Sequence, residues 1–85
     1  MTYLLSPEIG RLSVRVDAGG LPIDFIWQKR CHPVTEIVNR WRLHDRWWYR
    51  SVARDYYKVT TTDGWLVVLY FDWSERTWYL ERLQD

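Results

Sequence analysis

The sequence predicts an all-β fold, and three observations carry that expectation. Leu12, Val14 and Val16 alternate with polar residues, the period of a half-buried strand. Asp63-Gly64 divides two strand-like runs, as a tight hairpin turn does. Gly19-Gly20, followed by Pro22, breaks the chain just after the first alternating stretch.

Taken in order, residues 11–17 form the first strand, and Ile23, Phe25 and Trp27 restart the alternation in a second. Gln28-Lys29-Arg30 is short enough for a hairpin loop, after which Cys31 to Val38 is rich in β-branched residues. Pro33 lacks a ladder donor, so this third strand is expected at a sheet edge or beginning just after the proline. Residues 39–54 fit neither the helical nor the strand period and are expected to be an irregular connection, with room for a helical turn. Beyond them, Asp55 to Thr62 and Trp65 to Asp72 flank a type I′ turn, a register that pairs Thr62 with Trp65, Val59 with Val68 and Tyr57 with Tyr70. A second hairpin through 73–76 leads to a last strand over Thr77 to Leu83.

The run Trp65-Leu66-Val67-Val68-Leu69-Tyr70-Phe71 is apolar on both faces, so each face needs a cover. Curling the sheet hides one face inside and leaves the other to segment 39–54. The expected architecture is therefore a small antiparallel meander or SH3-like, partly open barrel of five to six strands. With 85 residues the chain makes one domain, an N-terminal arm over 1–10 followed by a β domain over 11–85. So short a chain needs large side chains for its core, and seven Trp, six Tyr and two Phe are at hand.

Cys31 is the only cysteine, which excludes an internal disulfide and a multi-cysteine zinc site and suits a reducing cytoplasm. The N-terminus reads as neither a signal peptide nor a membrane span, so the expected localisation is cytoplasmic. Cys31 and His32 are adjacent, so on a strand their side chains point to opposite faces and do not form a nucleophile pair. The acids Asp17, Asp24, Asp63, Asp72 and Glu75 fall at strand ends and turns, where exposed carboxylates keep β edges soluble. No enzymatic activity, cofactor or metal is expected.

The net charge of +1 is uneven: Arg40, Arg42, Arg46, Arg50 and Arg54 against Asp45 alone make segment 40–54 locally +4. Trp41, Trp47, Trp48 and Tyr49 interleave with these cations. That composition suits three roles: arginine stems covering tryptophans that seal a barrel end, a protein-binding patch, or a strip for single-stranded nucleic acid. At Arg54-Asp55-Tyr56-Tyr57 a strand begins, with Arg54 and Tyr56 on one face and Asp55 and Tyr57 on the other. The architectural reading is that Asp55 holds backbone N–H groups or an arginine such as Arg50, and so fixes how segment 39–54 packs.

From Pro22 onward the order of landmarks resembles the C-terminal region of ImuB-type proteins, inactive relatives of Y-family polymerases, and a family of short stand-alone bacterial proteins of unknown function. The likeness runs through Phe25-x-Trp27, His32-x-Val34, Trp47-Trp48, Arg54-Asp55-Tyr56-Tyr57-x-Val59, Gly64, Trp65-Leu66 and Trp78-Tyr79-Leu80. Where the longer proteins often carry a His-Gly pair after the final aromatic strand, this chain has Glu81-Arg82. The resemblance implies a docking or scaffold part in translesion DNA synthesis and DNA-damage tolerance, with a translesion polymerase or mutasome component as partner. It supplies no catalytic residues. The alternative expectation is a barrel that binds single-stranded nucleic acid through Arg40, Arg42, Arg46 and Arg50, and an open sheet edge would also permit a homodimer.

Overall fold

The computed structural model describes the backbone of residues 2–4, 11–47 and 50–84 and the side chains of 11–44, 46 and 52–84. All regular structure among them is β: β1 (Thr2–Leu4), β2 (Arg11–Val16), β3 (Pro22–Trp27), β4 (Arg30–Trp47), β5 (Arg50–Thr61), β6 (Leu66–Asp72) and β7 (Thr77–Gln84). Every pairing is antiparallel, in the order β1-β7-β2-β3-β4-β5-β6, and β6 also pairs with β7. Six strands, β2 to β7, thus close into a small barrel. Within the expected arm, Thr2–Leu4 pairs with Arg82–Gln84 of β7, on the edge that β2 takes up at Trp78 and Tyr79.

Two turns shape the first three barrel strands. Asp17 accepts the amides of Gly19 and Leu21 on one carboxylate oxygen, and Gly20 sits at φ 84°, where glycine carries no Cβ penalty. Gln28 and Lys29, at φ 52° and 64°, make the two-residue connection between Trp27 and Arg30. Both central residues being left-handed is the type I′ geometry that matches strand twist, here without glycine. Ile23 is exposed despite sharing parity with buried Phe25, because the ladder shifts where Val16 meets Pro22.

Strand β4 corrects two expectations. It does not begin after the proline but at Arg30, and it changes neighbours, pairing with β3 over Arg30–Pro33 and with β5 over Val34–Trp47, so that each stretch has one edge without a partner among the described strands. Pro33 falls at the changeover, where the ladder to β3 stops, and its carbonyl accepts the amide of Thr62. Nor is segment 39–54 an irregular connection. Its described residues, 39–47 and 50–54, are antiparallel strand, paired out to Trp47 with Arg50. The pattern eluded a period-two reading because β4 carries register shifts between Val34 and Glu36 and between Ile37 and Asn39. Each inserts an extra residue and flips the alternation, so Val34, Ile37, Arg40 and Arg42 share the barrel-facing side at spacings of three, three and two.

The β5–β6 register is also one residue from the expected one, with Val59 opposite Val67, Tyr57 opposite Leu69 and Tyr56 opposite Tyr70. A type I′ turn needs positive φ at Asp63 and Gly64, but only Gly64 adopts it, at 85°. Thr61 instead pairs its backbone with Trp65 around a three-residue loop, the form in which a left-handed glycine closes a bulge.

The interior holds Leu12, Phe25, Tyr57, Val59, Val67, Leu69, Leu80 and Leu83. Both faces of β6 are buried from Val67 to Tyr70, as its double-sided apolarity required. Its outer face is not covered by segment 39–54 folding back. Val68 and Tyr70 join Tyr56 and Tyr79 in a second cluster, built sideways across the strands. None of the five tryptophans with described side chains is buried, so tyrosine, leucine and valine supply the core rather than indole. Leu69 and Val59 have no exposed surface at all. Leu69→Ala should cost about 2–5 kcal/mol in urea unfolding, against under about 0.5 kcal/mol for Ile26→Ala at an exposed position. Equal losses would contradict this account of the core.

Candidate functional site

Beyond the pair Arg54–Asp72, β6 ends while β4 and β5 continue as a two-stranded ribbon. Four further residues of β4, His44 to Trp47, at about 3.3 Å each carry it roughly 13 Å past the sheet. At its base, the end of the barrel opens into a cavity of about 580 Å³. Tyr57, Phe71, Trp73 and Trp78 supply rings to its wall, Arg40, Arg42 and Asp55 its polar groups, and the β2–β3 turn its far rim at Gly19 and Gly20.

Asp55 organises this mouth. Its Oδ1 accepts the Arg42 Nε–H at 2.7 Å, and its Oδ2 accepts the Arg42 Nη2–H at 3.2 Å and the Trp73 indole N–H at 3.0 Å. Asp55 thus holds an arginine of the preceding strand, and that arginine is Arg42. The Arg42 hydrogen bonds hold the Asp55 carboxyl below the usual carboxylate range against the opposing effect of burial. Burial pushes the Tyr57 phenol up, and the Asp55 charge adds to it, so this hydroxyl stays protonated at neutral pH.

The opposite, outer face carries a transverse row in register: Trp41, Tyr56, Tyr70 and Tyr79, from β4, β5, β6 and β7. Neighbouring ring centroids lie 5.3, 5.1 and 5.2 Å apart, each contact worth roughly 0.5–1.5 kcal/mol beyond area. Arg54 lies over the Tyr70 ring at 4.7 Å and donates to Asp72 at 3.2 Å. Asp72 is buried rather than an exposed edge acid. Its other oxygen accepts the Ser74 and Glu75 amides and the Ser74 hydroxyl, closing the β6–β7 turn. Burial alone would raise its carboxyl, but these bonds and Arg54 outweigh it and hold it low.

The residues singled out by sequence thus fall into separate environments. Arg40 and Arg42 line the mouth, and Trp41, with 39% of its surface exposed, belongs to the outer row while also bordering the cavity. Arg46 is exposed on the ribbon, Trp47 ends β4 and Arg50 begins β5. The side chains of Trp47 and Arg50, and Trp48 and Tyr49 altogether, lie outside the described residues. Arg54 and Tyr56 do share one face, and Asp55 and Tyr57 the other. Phe71, Trp73 and Trp78 of the mouth were missed. Their signal was available in the β5–β6–β7 ladder, which sets Asp55 beside Phe71 and Phe71 beside Trp78 once the register is right.

At the other end of the barrel, buried His32 stacks on Phe25 and its Nδ1 meets Asp63 at 3.0 Å, while the Thr61 hydroxyl donates to the same carboxylate at 2.6 Å. Cys31 points outward, apart from His32. Among the described residues no group of three or more His, Cys, Asp or Glu side chains is placed to hold a metal ion, and no helix is long and apolar enough to cross a membrane.

The fold and site define a six-stranded antiparallel barrel with an aromatic mouth and an overhanging basic hairpin. The chain belongs to a family described as a domain of unknown function (DUF6504), whose model matches residues 5–85. No curated protein and no solved structure matches it.

Two predictions follow from the carboxylates. Asp55→Ala should lower the melting temperature by a few degrees, and an unchanged melt would remove its architectural role. Asp55, Asp63 and Asp72 are all held below the ordinary carboxylate value. Their stabilisation is complete above the unfolded value near 3.9 and disappears as pH falls through the lower folded values. Melting temperature should accordingly drop below about pH 5, and Asp72→Asn should flatten that acid limb. An acid limb of equal steepness in the variant would refute the assignment.

Proposed function

We propose that this chain is a non-catalytic docking module for a protein partner in bacterial translesion DNA synthesis and DNA-damage tolerance. One observation carries the docking reading: every described residue of β4 from Val38 to Arg46 is exposed, Trp41 and Leu43 at the sheet margin included, and the strand runs on past the barrel as a ribbon with β5. Trp41 stacks on Tyr56 with one ring face and leaves the other open, Leu43 is exposed beside it, and Trp and Arg together are the residue types that dominate protein hot spots. The cellular setting rests on the resemblance to ImuB-type C-terminal regions.

The charge distribution favours a protein over nucleic acid. Arg42 is committed to Asp55, and Arg54 to Asp72 and the Tyr70 ring. Cations already neutralised contribute little to counterion release from phosphates. A single-stranded nucleic acid is the second reading, because Arg40, Arg42, His44 and Arg46 share one face of the ribbon and lead to the ring-lined mouth.

The test is affinity capture from damaged cells with the whole chain and with Leu43→Asp, a change at an exposed site that should leave the melt intact. The wild type is expected to retain a translesion polymerase or mutasome component, and the variant to lose it. Equal recovery by both, or no such component with either, would sink the reading. Salt-sensitive binding of oligo-dT, lost in Arg40→Ala/Arg46→Ala, would put nucleic acid in its place.

A further inference from the structure

From the geometry of β4 we infer that its outer edge receives an extended acidic peptide, which joins the sheet as an added strand; the inference deepens the docking reading and rests on it. Past Pro33 the only described strand paired with β4 is β5. The opposite edge of Thr35–Trp47 therefore turns its alternate backbone N–H and C=O groups to solvent, over a stretch in which every described residue but Ile37 is exposed. Such an edge is a template for main-chain pairing.

The side chains state which strand fits. Past the second bulge β4 alternates strictly, with Arg40, Arg42, His44 and Arg46 on one face and Trp41, Leu43 and, further out, position 45 on the other. A strand laid alongside places its own alternate residues beside these two rows. The complementary sequence is one of alternating acidic and apolar residues, its acids beside Arg40 and Arg46, Arg42 being held on Asp55, and its apolar groups beside Trp41 and Leu43. The cavity at the ribbon base adjoins the same edge, with Arg40 and Arg42 on its wall, so space is open on the side where the strand would enter.

A second copy of this chain fits less well. Antiparallel self-pairing with matching faces sets Arg40 of each copy against Arg46 of the other, and like charges directly opposed destabilise a ladder. The same cations that discourage self-association leave the edge free for an acidic partner.

The test is amide hydrogen exchange by NMR on the whole chain, with a blocked peptide of alternating Glu and Leu about eight residues long, matched to the Val38–Arg46 edge. The expected result is new protection at every second amide between Val38 and Arg46. Arg40→Glu/Arg46→Glu should weaken binding by about tenfold and transfer preference to the Lys-Leu peptide of the same length. Absence of alternating protection, or equal response to the Lys-Leu peptide, would overturn strand addition. So would protection that appears only with oligo-dT, or that rises with protein concentration alone, the last pointing to a second copy. If Leu43→Asp abolishes capture of the partner while the Glu-Leu peptide protects nothing, docking stands and strand addition falls. Protection by the peptide without loss of capture in Leu43→Asp gives the reverse.

Discussion

Strand β4 must serve two neighbours in turn, and the distinctive features of the molecule follow from how it changes between them. A strand that stayed straight beside β3 would extend the sheet instead of closing it. Pro33 ends the first ladder where a missing N–H costs nothing, and the two bulges that follow bend the strand onto β5. The bend closes the barrel. It also separates β4 from the β2–β3 turn, which opens the mouth, and it directs the remaining length of β4 and β5 beyond the sheet as a ribbon. Closure, cavity and overhang are three results of one local irregularity.

The aromatic residues divide by size around that frame. Tyrosine can fill a narrow position and direct its hydroxyl to a rim, as Tyr79 does in donating to Glu75 at 3.0 Å. Indole is too wide for the interior of six short strands and needs a partner for its N–H. Trp73 finds one in Asp55 at the mouth, and Trp41 rests flat on Tyr56 at an interplanar angle of 3° while keeping one side open. The abundance of large rings is thus used in two ways. Tyrosines knit the outer face across β5, β6 and β7, Trp41 carries the row onto β4, and Trp73 edges the mouth.

Much of this was legible from the chain. The alternation at Leu12 and Val14, the punctuation at Gly19-Gly20, the double-sided apolarity of β6 and the face assignments at Arg54-Asp55-Tyr56-Tyr57 all follow from a period of two, and all hold. What failed to show is what breaks that period. A bulge adds one residue without any composition signal of its own, so Val34, Ile37, Arg40 and Arg42 looked unrelated and the ribbon looked irregular. Asp63-Gly64 is compatible with two loop lengths, and the choice between them moved every pair of the hairpin by one. The partner set of Asp55 joins residues 42 and 73, brought together only by closure.

The same geometry alters what the local charge of segment 40–54 means. Summed along the chain it is a basic tract, the usual mark of a phosphate-binding surface. Folded, it is divided between faces and partly satisfied: Arg42 is fixed on Asp55 inside the mouth, while Arg54 lies across the outer face on Tyr70 and Asp72. A cation held in a charge-assisted hydrogen bond defines shape more than field, because its partner cancels most of its reach beyond a Debye length of roughly 8 Å. The cations of the ribbon face act at short range, in fixed register with an apolar row on the reverse side. Recognition built in this way depends on the spacing of groups along an extended ligand rather than on its total charge, which is the property that separates a sequence-reading sheet edge from a general polyanion binder.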